Sequence, residues 1–240
     1  MASPLKASDG HRPARDGQDV ALAYQTLRAS ILHGEIPAGT TMSQVHLAKH
    51  LGLSRTPLRE AVRFLQHEGL IELQPNRRLR IATFTVDDVE QLYVMRIALE
   101  SAAVHMTVPD FRAADIAEMK GLMAQMDHFA EERDFVEFER PHRAFHALLV
   151  AGGGARLGRT ISELSDHAER YRRAYMDSSP SAYAVTMTEH REMLDAAAAQ
   201  DAALTAERLV AQYSRTAFTV IKALDPAYDA PRLELAASLV

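Results

Sequence analysis

The stretch that most constrains this chain is LAKHLGLSRTPLREAVRFLQHEGLIEL, residues 47–73, which fits two short helices, a tight turn and the start of a hairpin into one basic unit. Leu47, Ala48 and Leu51 share one helical face, and Leu53 anchors the turn that follows Gly52. Ser54 stands where an N-cap belongs, and Pro57 falls in the first helical turn, where a missing N–H is harmless. Leu58, Ala61, Val62 and Leu65 recur at helical spacing and face inward, so Arg55, Thr56, Arg59 and Arg63 are left outside. That is the layout of a helix-turn-helix whose second helix presents its N-terminal arginines to the major groove of DNA.

The flanks extend the unit. Residues 20–33 form a first helix with Ala21, Tyr24, Leu27 and Ile31 inward, closed by Gly34, and Ser43 caps the next helix. Residues 71–73 and 79–83 are the strands of a wing, with Pro75 and Asn76 in its turn and Arg77, Arg78 and Arg80 reaching toward the sugar-phosphate backbone. With LRASILHGEIPAGT (27–40), LAKHLGLSRTPLREAV (47–62) and LQHEGLIELQPNR (65–77), the region resembles the winged helix-turn-helix of GntR-type bacterial transcription regulators. It departs from them at Val45, where many relatives carry a basic DNA-contacting residue, and at Arg78, where the wing tip usually has glycine.

Charge supports a DNA-binding head. Residues 20–83 hold eight Lys or Arg against four Asp or Glu, while residues 84–240 carry a net −9 of the chain's overall −5. A basic head neutralises phosphates while an acidic body is repelled from the duplex. Arg55 and Arg59 are the expected base contacts, since a bidentate arginine fits the O6/N7 edge of guanine. Thr56 and Ser54 suit base-methyl or phosphate contacts, and Arg28, Arg63, Arg77 and Arg78 suit the backbone. Two heads related by a two-fold axis, a homodimer, would read a short inverted repeat on a double-stranded DNA operator.

The remainder reads as helix. Residues 85–107, 111–131, 134–151, 155–177, 180–200 and 202–224 are amphipathic, broken at Pro109, Gly152–Gly154, Pro180 and Asp201. The expected fold is mainly α: a disordered arm over 1–18, a winged helix-turn-helix over 19–84, an all-α antiparallel helical bundle over 85–224 and a loosely held tail over 225–240. The absence of cysteine excludes disulfides and thiolate metal sites. No apolar run approaches the roughly 20 residues that span a bilayer, so the expectation is a soluble, cytoplasmic protein with no membrane partner.

Within the bundle, His142 and His146 lie four apart on one helical face, and His190 sits on a later helix. Three imidazoles converging from two helices would make a site for a divalent metal ion such as Zn, Ni or Mn; without convergence they are ordinary polar residues. Arg96, among Leu92, Met95 and Leu99, leans inward at a cost unless it is paired, and Glu100 at i+4 is one partner. Tyr171 and Tyr175, four apart beside Ile161 and Leu164, line the same cavity or belong to plain core. The segment His142–Arg143–Ala144–Phe145–His146 lacks the glutamate of a metallohydrolase, and Gly152–Gly154 lacks the following Lys-Ser or Lys-Thr of a phosphate loop, which argues against an enzyme.

YVMRIALE (93–100), HRAFHALLVAGG (142–153) and EHREMLDAAAAQDAALTAERLVAQ (189–212) resemble the FCD effector-binding domain of the FadR branch of the same family. In metal-binding members one helix offers Asp and His four apart and two later helices offer one His each. Mapped onto this chain, those ligands become His142, His146, His190 and Gln212, and the resemblance also implies that Arg96 meets the carboxylate of a small organic-acid effector. The expected function is a ligand-responsive transcription regulator, a repressor in the first instance. The contrasting readings are a constitutive DNA-binding protein whose bundle only dimerises, and a DNA-tethered metalloenzyme.

Overall fold

The computed structural model describes residues 13–32, 34–67, 69–74, 78–83 and 85–240. The chain divides into two units, Met1–Thr83 and Phe84–Val240, each with its own apolar core.

The first unit contains α1 (Pro13–Leu32), β1 (Thr41–Ser43), α2 (Gln44–Leu51), α3 (Arg55–His67), β2 (Ile71–Gln74) and β3 (Arg78–Ile81). Helix α1 begins within the stretch expected to be a disordered arm, because Pro13 occupies a first-turn position that suits proline; residues 1–12 lie outside the described residues. Its buried stripe is Ala23, Leu27 and Ile31, at i, i+4 and i+8, and Ala21 is exposed because it sits two residues off that stripe. Ser43 Oγ accepts the His46 N–H at 3.1 Å and caps α2, and Gly52 ends it in the left-handed conformation, φ 66°, that makes the turn tight. In α3 the Leu58 N–H donates to the Ser54 carbonyl at 3.3 Å, placing Ser54 at the N-cap. Leu58, Ala61, Val62 and Leu65 are all buried, as the spacing requires.

The sheet has order β1-β3-β2, antiparallel throughout. Strand β1 has no counterpart in the sequence reading, since three residues are too short to show alternation. Arg78 is the first residue of β3, opposite Ser43 and Gln74, rather than part of the turn; Pro75, Asn76 and Arg77 lie outside the described residues.

The second unit comprises α4 (Val86–Thr107), α5 (Ala113–Glu132), α6 (Phe135–Leu149), α7 (Gly154–Ser178), α8 (Ala182–Ala198), α9 (Ala202–Leu224) and α10 (Pro231–Ser238). Side-chain oxygens of Thr85, Asp134 and Asp201 cap α4, α6 and α9 by accepting the N–H three residues on, at 2.9–3.1 Å. Helix α4 packs against α7, α9 and α10, and its Val89, Tyr93, Ile97 and Val104 join Phe138 and Phe145 of α6 in the core.

Residues 225–240 are not the loose tail expected from two prolines. Pro231 sits at the start of α10, and the Arg232 and Leu233 N–H groups donate to Glu90 Oε1 on α4 at 2.8 and 3.3 Å. Tyr228 Oη donates to the other Glu90 oxygen at 2.6 Å, and Leu233 is fully buried. A buried carboxylate on one helix thus caps another, and apolar burial of Ala230 and Leu233 fixes it there.

The Gly152–Gly154 break has a packing cause. A Cβ on Gly152 would lie 2.6 Å from the Met106 carbonyl oxygen of α4, and the Gly152 N–H donates to Thr107 Oγ1 at 2.9 Å. Gly152→Ala is therefore expected to destabilise the bundle by about 1–3 kcal/mol, the cost of overpacking against backbone. Urea denaturation of the variant checks this, and unchanged stability would mean that α4 can yield there. Among the described residues no helix is long and apolar enough to cross a membrane.

Candidate functional site

Two sites stand out, one in each unit. In the first, the outer face of α3 and the start of α2 enclose a concavity of about 820 Å³ lined by Ser43, Gln44, Val45, Arg55, Thr56, Arg59, Val62, Arg63 and Leu73. The expected Arg55, Thr56, Arg59 and Arg63 come together here, all exposed. Ser54 and Arg78 are exposed but do not line the concavity, Arg28 is half-buried on α1, and Arg77 lies outside the described residues. Val45, an apolar residue of this wall, is 54% exposed. Gln44 is a polar lining residue that sequence reading missed; its place directly after the Ser43 cap is the signal that marks it. Glu60 takes ion pairs from Arg59 at 3.4 Å and Arg63 at 3.1 Å, but such exposed pairs are worth at most about 1 kcal/mol and leave both guanidiniums free to turn to an anion.

In the second unit His142 and His146 of α6 meet His190 of α8, each at most 5% exposed. One ring nitrogen from each lies within 4.8 Å of the others, and among the described residues this is the one such cluster. His146 Nε2 and His190 Nε2 are 3.1 Å apart, the spacing of two nitrogens about 2.1 Å from a shared ion. The opposite ring nitrogens are turned to protein groups. His190 Nδ1 donates to the Thr186 carbonyl at 2.7 Å and His146 Nδ1 faces Tyr213 Oη at 3.4 Å, whereas His142 Nδ1, 3.6 Å from Glu139 Oε2, makes no hydrogen bond among the described residues. Partners of this kind set the tautomer of His146 and His190 that would leave Nε2 free to hold an ion. Burial, reinforced by the neighbouring imidazoles, pushes His142 and His146 well below the ordinary histidine range, and burial takes His190 to about 4. All three rings are thus neutral at pH 7 with lone pairs to share, and the donor set fits a divalent first-row ion. Gln212 meets His190 on the Nδ1 side, its Nε2 3.1 Å away from a nitrogen that already donates to Thr186, so the amide stands apart from the His146 and His190 Nε2 atoms that face each other.

Arg96 is 1% exposed and pairs with Glu100 at 2.8 Å, while its guanidinium carbon lies 3.9 Å from the centre of the Tyr213 ring. Burial works against its charge, but the Glu100 carboxylate prevails and holds Arg96 above the usual arginine value. Tyr213 Oη donates to Glu100 Oε2 at 2.6 Å, so one hydroxyl joins the Arg96 pair to His146. A second buried pair, Arg172 of α7 with Glu139 of α6, stands beside it; sequence reading missed Tyr213, Glu139 and Arg172. Arg96, His142, Arg172, Tyr175 and Tyr213 wall a cavity of about 20 Å³, and Glu100, Arg143, His146, Ile161 and Ser165 wall another of about 380 Å³. Tyr171 lines neither: its hydroxyl bonds to Asp88 and to Arg170.

Comparison with known proteins places this geometry. Residues 21–81 match the family model described as bacterial regulatory proteins, gntR family, and residues 91–214 match that of the FCD domain. An HTH-type transcriptional regulator from the TAR-I ttuE-ttuC' intergenic region of Agrobacterium vitis is 31% identical over 153 residues, covering 62% of this chain and 89% of that protein. The HTH-type transcriptional repressor GlaR of Escherichia coli K12 is 26% identical over 209 residues, 83% and 94% of the two chains. Among solved structures, E. coli McbR/YncC superposes with a TM-score of 0.74 at 18% identity over 86% of this chain and 99% of that one, a likeness of fold.

Proposed function

The chain belongs to the GntR family of bacterial regulatory proteins and carries an FCD domain, and on that premise we propose that this transcription regulator is a repressor whose DNA affinity answers to a small organic acid. It is not an enzyme, in keeping with relatives that are transcriptional regulators and repressors. The observation that carries the proposal is the polar interior of the second unit. A module that only dimerises has no use for three buried histidines beside two buried arginines.

In this reading a homodimer lays two α3 helices in successive major grooves of an inverted repeat. Support for self-association comes from an apolar groove of about 610 Å³ between α4 and α10, where Leu235 and Leu239 are 62% and 78% exposed. His142, His146 and His190 would hold a divalent ion, which supplies a Lewis-acidic seat for a carboxylate oxygen. Arg96 orients the acid, and the acid then ties α4 to α6 and α8. Helix α4 follows β3 within five residues, so a turn of α4 changes the spacing of the two recognition helices. The acid must favour one arrangement over the other for this to work.

Mobility-shift titration with duplexes flanking the protein's own gene tests the reading. Arg59→Ala is expected to cost about 1–3 kcal/mol on the operator with little change on random DNA. Equal losses on both would remove Arg59 from base recognition, and failure of the wild-type protein to retard any such duplex would overturn the operator model.

A further inference from the structure

We propose that Val45 is a specificity determinant of the DNA-binding head: it seats the C5 methyl of a thymine in the major groove, beside the bases that Arg55 and Arg59 read. This rests on the reading of the α3 concavity as the operator interface, and it adds a base pair that α2, not α3, selects.

Val45 follows Gln44 in the first turn of α2 and lies off the stripe, Leu47 and Ala48, through which that helix is buried. Its side chain, 54% exposed, is therefore outside the core of the head. A single exposed valine needs no explanation on an ordinary surface, but this one stands in a concave wall with Arg55, Thr56, Arg59 and Arg63. Among the described residues that wall contains no acidic side chain, so a polyanion can fill it. The Ser43 hydroxyl of the same wall is taken by the cap, accepting the His46 N–H at 3.1 Å, which leaves Gln44 and Val45 as the side chains that α2 turns to it.

Chemistry then names the partner. The base edges that line the major groove are hydrogen-bond donors and acceptors, with one apolar group among them, the thymine C5 methyl. A valine pressed against an amino or carbonyl edge would strip its water and return no hydrogen bond. Against the methyl, both partners gain by burial. Valine suits the task because it is branched at Cβ: in a helix one χ1 rotamer dominates, so little side-chain freedom is lost on docking. The methyl of 5-methylcytosine has the same chemistry but comes from a modified base, and the test below separates the two sources.

Selection by the full-length protein from a synthetic, unmethylated pool of random duplexes, followed by replacement of each thymine of the enriched sequence with uracil, tests the proposal, since uracil differs only in lacking the methyl. At one thymine per half-site the replacement is expected to weaken binding about fourfold, the effect of burying one methyl group. In Val45→Ala, an exposed first-turn substitution expected to leave the melting temperature unchanged, that penalty is expected to vanish. Uracil also alters stacking and groove shape, but a penalty of that origin persists in the variant. If no thymine shows a methyl penalty, the proposal is overturned while the operator reading stands. An equal penalty in Val45→Ala overturns the assignment to Val45 and passes the methyl to Thr56 or Leu73 of the same wall. A methyl dependence seen only at 5-methylcytosine, in a second pool that carries it, overturns the choice of thymine. If the parent protein enriches no sequence at all, the operator reading falls and this proposal with it.

Discussion

Arg96→Ala is expected to destabilise the second unit by about 3–5 kcal/mol, the largest effect of any single substitution considered for this chain. Glu100, 1% exposed, would lose the one cation it pairs with among the described residues and keep one hydrogen bond, from Tyr213 at 2.6 Å. A carboxylate so buried cannot be rehydrated without opening the bundle. The origin of the loss is separable: Arg96→Met combined with Glu100→Leu removes both charges and is expected to recover most of the stability. Chemical denaturation of the two variants reads the difference. A loss under about 1 kcal/mol in the single variant would show the pair to be as weak as a surface one, and the polar interior would lose its claim to be finely balanced.

The same pair shows what sequence can and cannot disclose. Local spacing made the Arg96–Glu100 pair legible, as it did the buried face of α3, the Ser43 and Ser54 caps and the His142/His146 face. Features set by distant segments were not. Arg172 reaches Glu139 across 33 residues, and Glu90 caps α10 across more than 140, so neither partner announces the other. Pro231 illustrates the ambiguity, since a proline that breaks one helix equally suits the first turn of the next. Tyr171 and Tyr175 share a helical face, yet only the second reaches the cavity, because a single turn of helix, about 5.4 Å, decides which neighbour each hydroxyl meets. The break at Gly152 is legible, but the reason for a glycine there, close approach to α4, is held by Met106 and not by its neighbours in sequence.

Metal loading is the second large effect. A divalent ion that binds the folded triad and not the unfolded chain stabilises by mass action, by about 2.7 kcal/mol at a free concentration of 100 times its dissociation constant. For a unit of this size that corresponds to a rise in melting temperature of about 5–10 °C, reversed by dialysis against a chelator. His146→Ala and His190→Ala each remove one of two Nε2 atoms that lie 3.1 Å apart, and either is expected to abolish the rise. His142→Asp should behave in the opposite sense. It exchanges a neutral donor for a charged one in a set that otherwise holds no carboxylate, and is expected to tighten the site at least as much as it perturbs the packing on Phe138. Were His190→Ala to take up the ion as well as the parent protein does, the three histidines would be a hydrogen-bonded core cluster and the ion would be held elsewhere.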